Sequence, residues 1–179
     1  VFLALALVSI EAAVNTTITS VTTTSREAYT RDNEEVRLLI DTLEPAEEFY
    51  RVEKKSRKTR NDGAWMNFPS VSLFSSTANA DLTAFFSRMG CEASTNAYSI
   101  KGSTPLIDSL ASVKYALYSE PVSNTNLMRY LRESGSTYLY ENLYTLPLGF
   151  MIPSDLEENW QYMMDNPADV QNDFSSLLG

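Results

Sequence analysis

The chain has 179 residues, a length that suits one compact domain. Apolar residues make up 44% of it and charged residues 21%, which predicts a buried core and excludes a disordered chain. The net charge of -9 argues against nucleic-acid binding, because neutralising phosphates requires an excess of lysine and arginine. Histidine is absent, which excludes Ser/His/Asp and Cys/His catalysis and the common zinc sites. The sequence predicts no cofactor and no metal site.

The first fourteen residues, Val1 to Val14, are an apolar run interrupted by Ser9 and Glu11. The run is shorter than the roughly 20 residues that cross a bilayer, so we interpret residues 1–15 as the end of a transmembrane helix that begins upstream. Glu11 fits a helix end at the level of the lipid headgroups. A signal peptide is one alternative, although its basic start is missing, and an ordinary buried helix is another. The start at Val1 rather than methionine predicts a fragment or a processed product.

Residues 16–30 are predicted to form a polar connector, and residues 31–179 a single domain. Helical spacing of apolar residues predicts a first helix from Asp32 to Leu43 that ends at Pro45. Asn61-Asp62-Gly63 is a strong turn signal, and it and the polar and aromatic stretch that follows to Ser76 are expected to hold little regular structure. The other predicted elements are strands at 49–53, 113–118 and 149–152, a hairpin around Ser134-Gly135, and helices at 79–89, 104–110, 154–164 and 166–179.

These elements predict an α+β fold: a single domain with a small mixed or antiparallel sheet flanked by helices, preceded by the end of a transmembrane helix. Within it, residues 51–60 carry six basic side chains against one acidic side chain. This reversal of sign could attract phosphate-bearing polymers or anionic headgroups. The interpretation that we favour is a solvated strand end and loop, because runs of charge usually face water.

Short strings stand in this order along the chain: Phe49-Tyr50-Arg51-Val52-Glu53, Asn61-Asp62-Gly63, Phe74-Ser75-Ser76, Lys101-Gly102-Ser103-Thr104-Pro105, Val113-Lys114-Tyr115, Tyr140-Glu141-Asn142, Leu146-Pro147-Leu148-Gly149-Phe150, Asn166-Pro167 and Gln171-Asn172. In this order they resemble segments of the YfhO family of bacterial membrane proteins. Glu11 and Asn15 also agree with the outer end of the preceding membrane helix in that family, whereas Leu73 stands where family members often have a histidine. No single string is specific, but their order over most of the chain is.

The resemblance implies a multi-pass protein of the cell membrane that is similar to glycosyltransferases. Such a protein takes a sugar from a polyprenyl-phosphate carrier and adds it to an envelope glycopolymer such as lipoteichoic acid. The family's catalytic acid is expected in an early outward loop outside this sequence, so no catalytic residue is assigned here. The chain is then an extracytoplasmic accessory domain whose partners are the remaining transmembrane region, the membrane, and a glycopolymer or lipid-linked sugar.

Amides, hydroxyl groups, aromatic rings and fixed charges are the groups that recognise sugars and phosphates. The competing interpretation is that such residues cap turns and satisfy buried backbone groups. The candidate substrate-binding residues are Arg51, Asn61, Asp62, Ser75, Ser76, Lys114, Tyr140 and Asn142.

Two other classes of function stay open. A secreted cell-wall or carbohydrate-binding module without catalysis would have a short basic leader instead of many hydrophobic spans. A free-standing glycosidase would need only a pair of carboxylates, and no pair stands out among the 23 acidic residues.

Overall fold

A computed structural model describes residues 2–22, 25–43, 48–123 and 125–178. The chain divides into two compact units, Val1–Asp32 and Asn33–Gly179, and we call the second unit the body. The division falls close to residue 31, where the sequence predicts the start of the folded domain. Pro45, the predicted end of the first helix of the body, and Gly179, the predicted end of its last helix, lie outside the described residues.

The first unit consists of the long helix α1 (Phe2–Thr22) and the short helix α2 (Arg26–Thr30). The stretch Phe2–Ser20 of α1 is long and apolar enough to cross a membrane, by length and composition. The apolar run of residues 1–14 alone is too short to cross a bilayer, but the helix that contains it has 21 residues. α1 also continues past residue 15, into the segment predicted to be a connector.

Threonine side chains explain how the helix continues through this polar segment. The Thr17 hydroxyl donates to the Ala13 carbonyl at 2.7 Å, and the Thr19 hydroxyl donates to the Asn15 carbonyl at 2.8 Å. Each hydroxyl is thereby satisfied by a carbonyl one turn earlier, and the helix is not interrupted.

The body contains six helices and seven strands among its described residues. They are α3 (Asn33–Ile40), β1 (Arg51–Lys54), α4 (Asp62–Met66), β2 (Leu73–Phe74), α5 (Ala80–Arg88), β3 (Ala93–Ser94), β4 (Ala97–Tyr98), α6 (Pro105–Leu110), β5 (Val113–Tyr118), β6 (Met128–Ser134), β7 (Thr137–Asn142), α7 (Leu156–Asn159) and α8 (Pro167–Leu178).

The main sheet has the strand order β1-β5-β7-β6. β1 and β5 are parallel, whereas β5 with β7 and β6 with β7 are antiparallel. A parallel pair needs a long crossover, and here it contains α4, α5, α6 and a smaller antiparallel sheet of order β2-β4-β3. The predicted α+β class with a small mixed sheet is confirmed.

Two hydrophobic clusters hold these layers together. One joins α3 to the main sheet through Val36, Leu39, Val52, Leu117 and Leu139, which are almost fully buried. The other joins α5, α6 and α8 to the small sheet, and its buried residues are Phe86, Met89, Cys91, Tyr98, Ile100, Ile107, Val113 and Val170.

Side-chain caps explain where several predicted elements begin and turn. The Asn79 side chain accepts hydrogen bonds from the backbone N–H groups of Asp81 and Leu82, as predicted for the start of α5. The β6–β7 hairpin turns at Gly135, whose φ of +57° favours glycine. The carboxylate of Glu35 in α3 accepts from the Ser136 N–H at 3.0 Å and so ties α3 to this turn. The predictions of α5 and of this hairpin are confirmed.

Three local predictions are wrong. Residues 61–76 contain α4 and β2, because the Asn61 side chain bonds to the backbone of Phe74 at both its N–H and its carbonyl. Residues 149–152 form no strand. The helix predicted at 154–164 is limited to α7, because the next residues turn onto α8: the Trp160 indole donates to the Val170 carbonyl at 2.9 Å.

Candidate functional site

Asn61 and Asp62 hold turns of the backbone. Asn61 connects the start of α4 to β2 through its two bonds to Phe74, of 2.8 and 3.0 Å. The buried Asp62 carboxylate accepts hydrogen bonds from the backbone N–H groups of Lys58 and Thr59, at 2.7 and 2.8 Å. Both side chains therefore satisfy backbone groups, as the competing interpretation expects.

Tyr140 and Asn142 on β7 are also buried and hydrogen-bonded. The Tyr140 hydroxyl donates to the Val122 carbonyl at 2.7 Å and accepts from the Val122 N–H at 2.9 Å. The Asn142 amide donates to the Val113 carbonyl at 3.1 Å and accepts from the Tyr144 N–H at 3.1 Å. Asn142 fixes the end of β7 against β5, and it also lines two cavities.

The next three predicted residues, Ser75, Ser76 and Arg51, have different surroundings. The Ser75 hydroxyl accepts from the Thr77 N–H at 3.2 Å in the turn after β2, and Ser76 is exposed. The Arg51 guanidinium donates to the Ala111 carbonyl at 2.8 Å and lies 5.1 Å from the centre of the Phe49 ring. Of the eight predicted residues, Lys114 and Asn142 line one cavity together.

That cavity is a cleft of about 500 Å³, which we call the aromatic cleft. It forms where the chain before β1, the strand β5 and the end of β7 meet, and aliphatic residues of the following loop complete it. The strings that resemble the family therefore converge here from distant parts of the sequence. Its main lining residues are Phe49, Tyr50, Lys114, Glu141, Asn142 and Thr145.

Lys114 is held in the cleft by aromatic rings. Its Nζ lies 5.8 Å from the centre of the Tyr50 ring and 5.5 Å from that of Tyr115, and the two rings meet edge to face at 5.1 Å. No carboxylate of the described chain forms an ion pair with Lys114. Burial, and then the neighbouring Tyr115, raise the pKa of the Tyr50 hydroxyl, which Lys114 partly opposes. Tyr50 therefore stays protonated and offers both a donor and an acceptor.

The charges of the cleft are mixed. Glu48 and Glu141 line it beside Lys114, and Glu141 also accepts a hydrogen bond from the Arg129 guanidinium at 3.1 Å. Carboxylates accept hydrogen bonds from hydroxyl groups, a lysine donates to hydroxyl or phosphate oxygens, and aromatic rings pack against apolar faces. This combination suits a neutral or weakly charged polyol such as a sugar better than a dense polyanion.

A second cavity, of about 410 Å³, lies around Lys55. Lys55 Nζ donates to Asp108 at 2.7 Å and to the Ser103 hydroxyl at 3.1 Å, and that hydroxyl donates to the other Asp108 oxygen at 2.7 Å. The three groups satisfy one another. A ligand would have to break this network in order to use Lys55.

Four of the six basic side chains at residues 51–60, including Lys55, are paired with acids. Arg57 and Arg60 both pair with Glu92, and the buried Lys54 lies 3.9 Å from Asp62. β1 ends at Lys54 and a loop follows, as the favoured interpretation expects, but the paired side chains are buried or partly buried and do not simply face water. We call this network, together with the buried carboxylate Glu53 beside it, the paired-charge region; it comprises Glu53, Lys54, Lys55, Arg57, Arg60, Asp62, Glu92 and Asp108.

Glu53 is the most enclosed carboxylate of that region, with 2% of the residue exposed. Its oxygens accept hydrogen bonds from the hydroxyl groups of Ser70 and Ser72 and from the backbone N–H groups of Val71 and Ser72. This carboxylate thus organises the segment between α4 and β2. Among the described residues there is no cluster of acids and cysteines that could hold a metal ion.

Four of the six main lining residues of the cleft are missing from the predicted set. Phe49, Tyr50 and Glu141 stand inside the strings that resemble the family, next to predicted residues, and this adjacency is the signal that could have identified them. Thr145 has no such signal in the sequence.

The chain combines an apolar helix that is long enough to cross a bilayer, by length and composition, with an α+β body that has a ligand-sized cleft. The model of the family described as "Bacterial membrane protein YfhO" matches residues 1–178, and the chain belongs to this family. No curated protein and no solved structure matches the chain. The family and the apolar helix together support a membrane location.

Proposed function

We propose that the body is the extracytoplasmic accessory domain of a multi-pass, glycosyltransferase-like membrane protein. The parent protein would transfer a sugar from a polyprenyl-phosphate carrier to an envelope polymer such as lipoteichoic acid. The body would hold the sugar-bearing acceptor or the lipid-linked sugar near the reaction and would have no turnover alone. The apolar residues 1–15 would be the membrane-embedded end of a transmembrane helix, the polar residues 16–30, which begin with the last turns of α1, would lead to the domain, and residues 31–179 would form that domain.

The aromatic cleft is the observation that carries this proposal. Phe49 and Tyr50 supply ring faces for sugar C–H groups, Glu141 supplies acceptors for sugar hydroxyl groups, and Lys114 supplies donors. Lys114 is oriented by two tyrosine rings and has no ion pair to break among the described residues. A ligand that binds through it therefore loses no existing salt bridge.

Binding by the full chain in detergent micelles tests the proposal. The probes are delipidated lipoteichoic acid with hexose substituents and the same polymer without them, measured by titration calorimetry. We expect binding of the substituted polymer, and a loss of about tenfold in Lys114→Gln, since one charge-assisted hydrogen bond is worth about 1.5 kcal/mol. Phe49→Ala should weaken binding as well. The matched control is Lys101→Gln, an exposed lysine beside the Lys55 cavity.

Each outcome separates the open classes of function. Equal affinity for both polymers would argue for polyphosphate recognition and against a sugar site. A larger effect of Lys101→Gln than of Lys114→Gln would place binding at the Lys55 cavity instead. Hydrolysis or transfer by this chain alone would contradict the accessory role and favour an enzyme. If the native protein is found free of the membrane and binds the polymer in that form, the secreted carbohydrate-binding module is favoured.

A further inference from the structure

The segment between β7 and α7 is unusual in charge. Residues 143–154, which we call the apolar loop, contain no Asp, Glu, Lys or Arg, in a chain of which 21% is charged. The segment has no helix or strand and reads LYTLPLGFMIPS. A surface loop of a water-soluble domain normally carries polar and charged side chains.

The apolar side chains of this loop are exposed together. Met151 is 97% exposed, Leu148 is 61% exposed, and Leu143, Tyr144, Phe150 and Ile152 are also exposed. Other exposed apolar residues of the described body, such as Trp65 and Met163, stand singly along the sequence. Single exposed apolar residues are ordinary, but a contiguous exposed group marks a surface that contacts something apolar.

The base of the loop is fixed while its tip is open. The Leu143 N–H donates to the Leu127 carbonyl at 3.0 Å, and the Leu146 N–H donates to the Ser109 carbonyl at 3.2 Å. Residues 147–152 form no backbone hydrogen bond with another described residue. A side chain added at Gly149 would meet no atom within 4 Å. The body thus presents the tip without covering it.

We propose that the tip of the apolar loop, residues 147–152, inserts into the headgroup and upper acyl region of the bilayer that holds α1. The short connection between α1 and α3 supports the bilayer as the partner. Only residues 23–32 separate the two helices, and even a fully extended chain of that length reaches at most about 35 Å. A body tethered so closely to a bilayer meets lipid at high effective concentration. Amphipathic segments at the interface bury their apolar side chains about 5–10 Å into this region, and the strength of binding grows with the apolar area buried.

The charges around the loop specify the kind of lipid contact. Asp155, Glu157 and Glu158 follow the loop and are exposed, and the whole chain carries a charge of -9. Anionic lipids would repel these groups, so the contact is apolar and forms on neutral phosphatidylcholine. The base of the loop also lines the aromatic cleft, so insertion would hold the cleft at the membrane surface. The lipid contact itself does not depend on whether the cleft binds a glycan.

A fluorescent probe on the tip tests the insertion. The full chain carrying Cys91→Ala and Met151→Cys is labelled with an NBD fluorophore and reconstituted in phosphatidylcholine vesicles. The matched control carries Met163→Cys, because Met163 is an exposed methionine (69% exposed) outside the loop. We expect blue-shifted emission at position 151, several-fold stronger quenching by spin-labelled lipid than at position 163, and protection from aqueous iodide.

The other outcomes contradict the proposal. Quenching by iodide at position 151 to the same degree as at position 163 would place the tip in water. Protection from both iodide and spin-labelled lipid would indicate a contact with a second copy of the chain. Met151 is almost fully exposed, so its substitution should leave folding intact, and an unchanged circular dichroism spectrum and Tm in each labelled protein confirm this. Blue shift and lipid quenching that persist at 0.5 M salt would support the apolar mode of contact.

Discussion

The paired-charge region and the aromatic cleft both use a lysine from neighbouring parts of the main sheet, but the two lysines have different surroundings. Lys55 donates to Asp108 and Ser103, so these N–H donors are already used within the protein. Lys114 lies over two tyrosine rings, and no carboxylate of the described residues forms an ion pair with it. A cation held by rings keeps its N–H donors for a ligand, whereas an ion-paired cation must first lose its partner.

This comparison shows that the density of charge in a sequence does not indicate how available the charge is. Residues 51–60 are the most basic segment of the chain, yet Lys54, Lys55, Arg57 and Arg60 are matched by acids. Lys114 stands alone between apolar and aromatic residues in the sequence, and its side chain lines a cleft. The paired-charge region is therefore expected to contribute stability, and the aromatic cleft is expected to contribute binding.

The largest expected effect is that of Glu53→Ala in the paired-charge region. The substitution leaves the Ser70 and Ser72 hydroxyl groups and the Val71 and Ser72 N–H groups without their shared acceptor. We expect a loss of about 3–5 kcal/mol in the free energy of unfolding, because four hydrogen-bond donors lose their acceptor and each buried group left unsatisfied costs about 1–3 kcal/mol. Urea denaturation of the full chain in detergent micelles measures this loss.

The control for this prediction is Glu120→Ala, which removes an exposed carboxylate next to β5. Surface substitutions of this kind usually change stability by less than about 0.5 kcal/mol. Equal effects of the two substitutions would contradict the structural role assigned to Glu53.

A matched pair of substitutions tests the comparison of the two lysines directly. Lys55→Met removes the ion-pair partner of Asp108, whose side chain is 15% exposed, and we expect it to cost about 2 kcal/mol of unfolding free energy. Lys114→Met removes only contacts with rings, worth about 0.5–1 kcal/mol. Thermal unfolding of both variants gives the two values. A cost for Lys114→Met that equals or exceeds that for Lys55→Met would mean that Lys114 is structural.

Much of the fold follows from local signals in the sequence. The Asn79 cap, Pro105 after Thr104, and the turn at Gly135 act through bonds or dihedral angles within a few residues, so α5, α6 and the β6–β7 hairpin could be predicted. The capping pattern of Ser154 and Glu157 is equally local, but contacts of the following residues with α8 override it. The position of β2 could not be predicted, because Asn61 fixes it across thirteen positions.

The candidate site could be predicted only in part, for the same reason. The partners of the basic run, Glu92 and Asp108, lie 35 positions from Arg57 and 53 from Lys55, so their pairing is invisible in the local sequence. Lys114 and Asn142 were identified as polar residues in strings that resemble the family, and the fold brings them to one cleft. Arg51, Ser75 and Asn61 lie in similar strings, but they serve other parts of the body.

The smallest expected effect concerns the response of the paired-charge region to acid. A hydrogen bond from Ser99 and the nearby Arg57 and Arg60 guanidinium groups lower the pKa of the Glu92 carboxyl below its ordinary value of 4.5. A lowered folded-state pKa contributes stability that is present above pH 4.5 and is lost as the pH falls through the lowered value. The native chain should therefore lose Tm between pH 5 and pH 3, partly through Glu92.

Glu92→Gln removes this contribution and tests it. The variant should have a lower Tm than the native chain at pH 7, and the gap between them should shrink as the pH falls to 3, because protonation removes the same charge from the native chain. The control Glu120→Gln removes an exposed carboxylate outside the region and should keep the native acid response. A gap that stays constant from pH 7 to pH 3 would contradict this prediction. It would show that the charge of Glu92 does not stabilise the fold through Arg57 and Arg60.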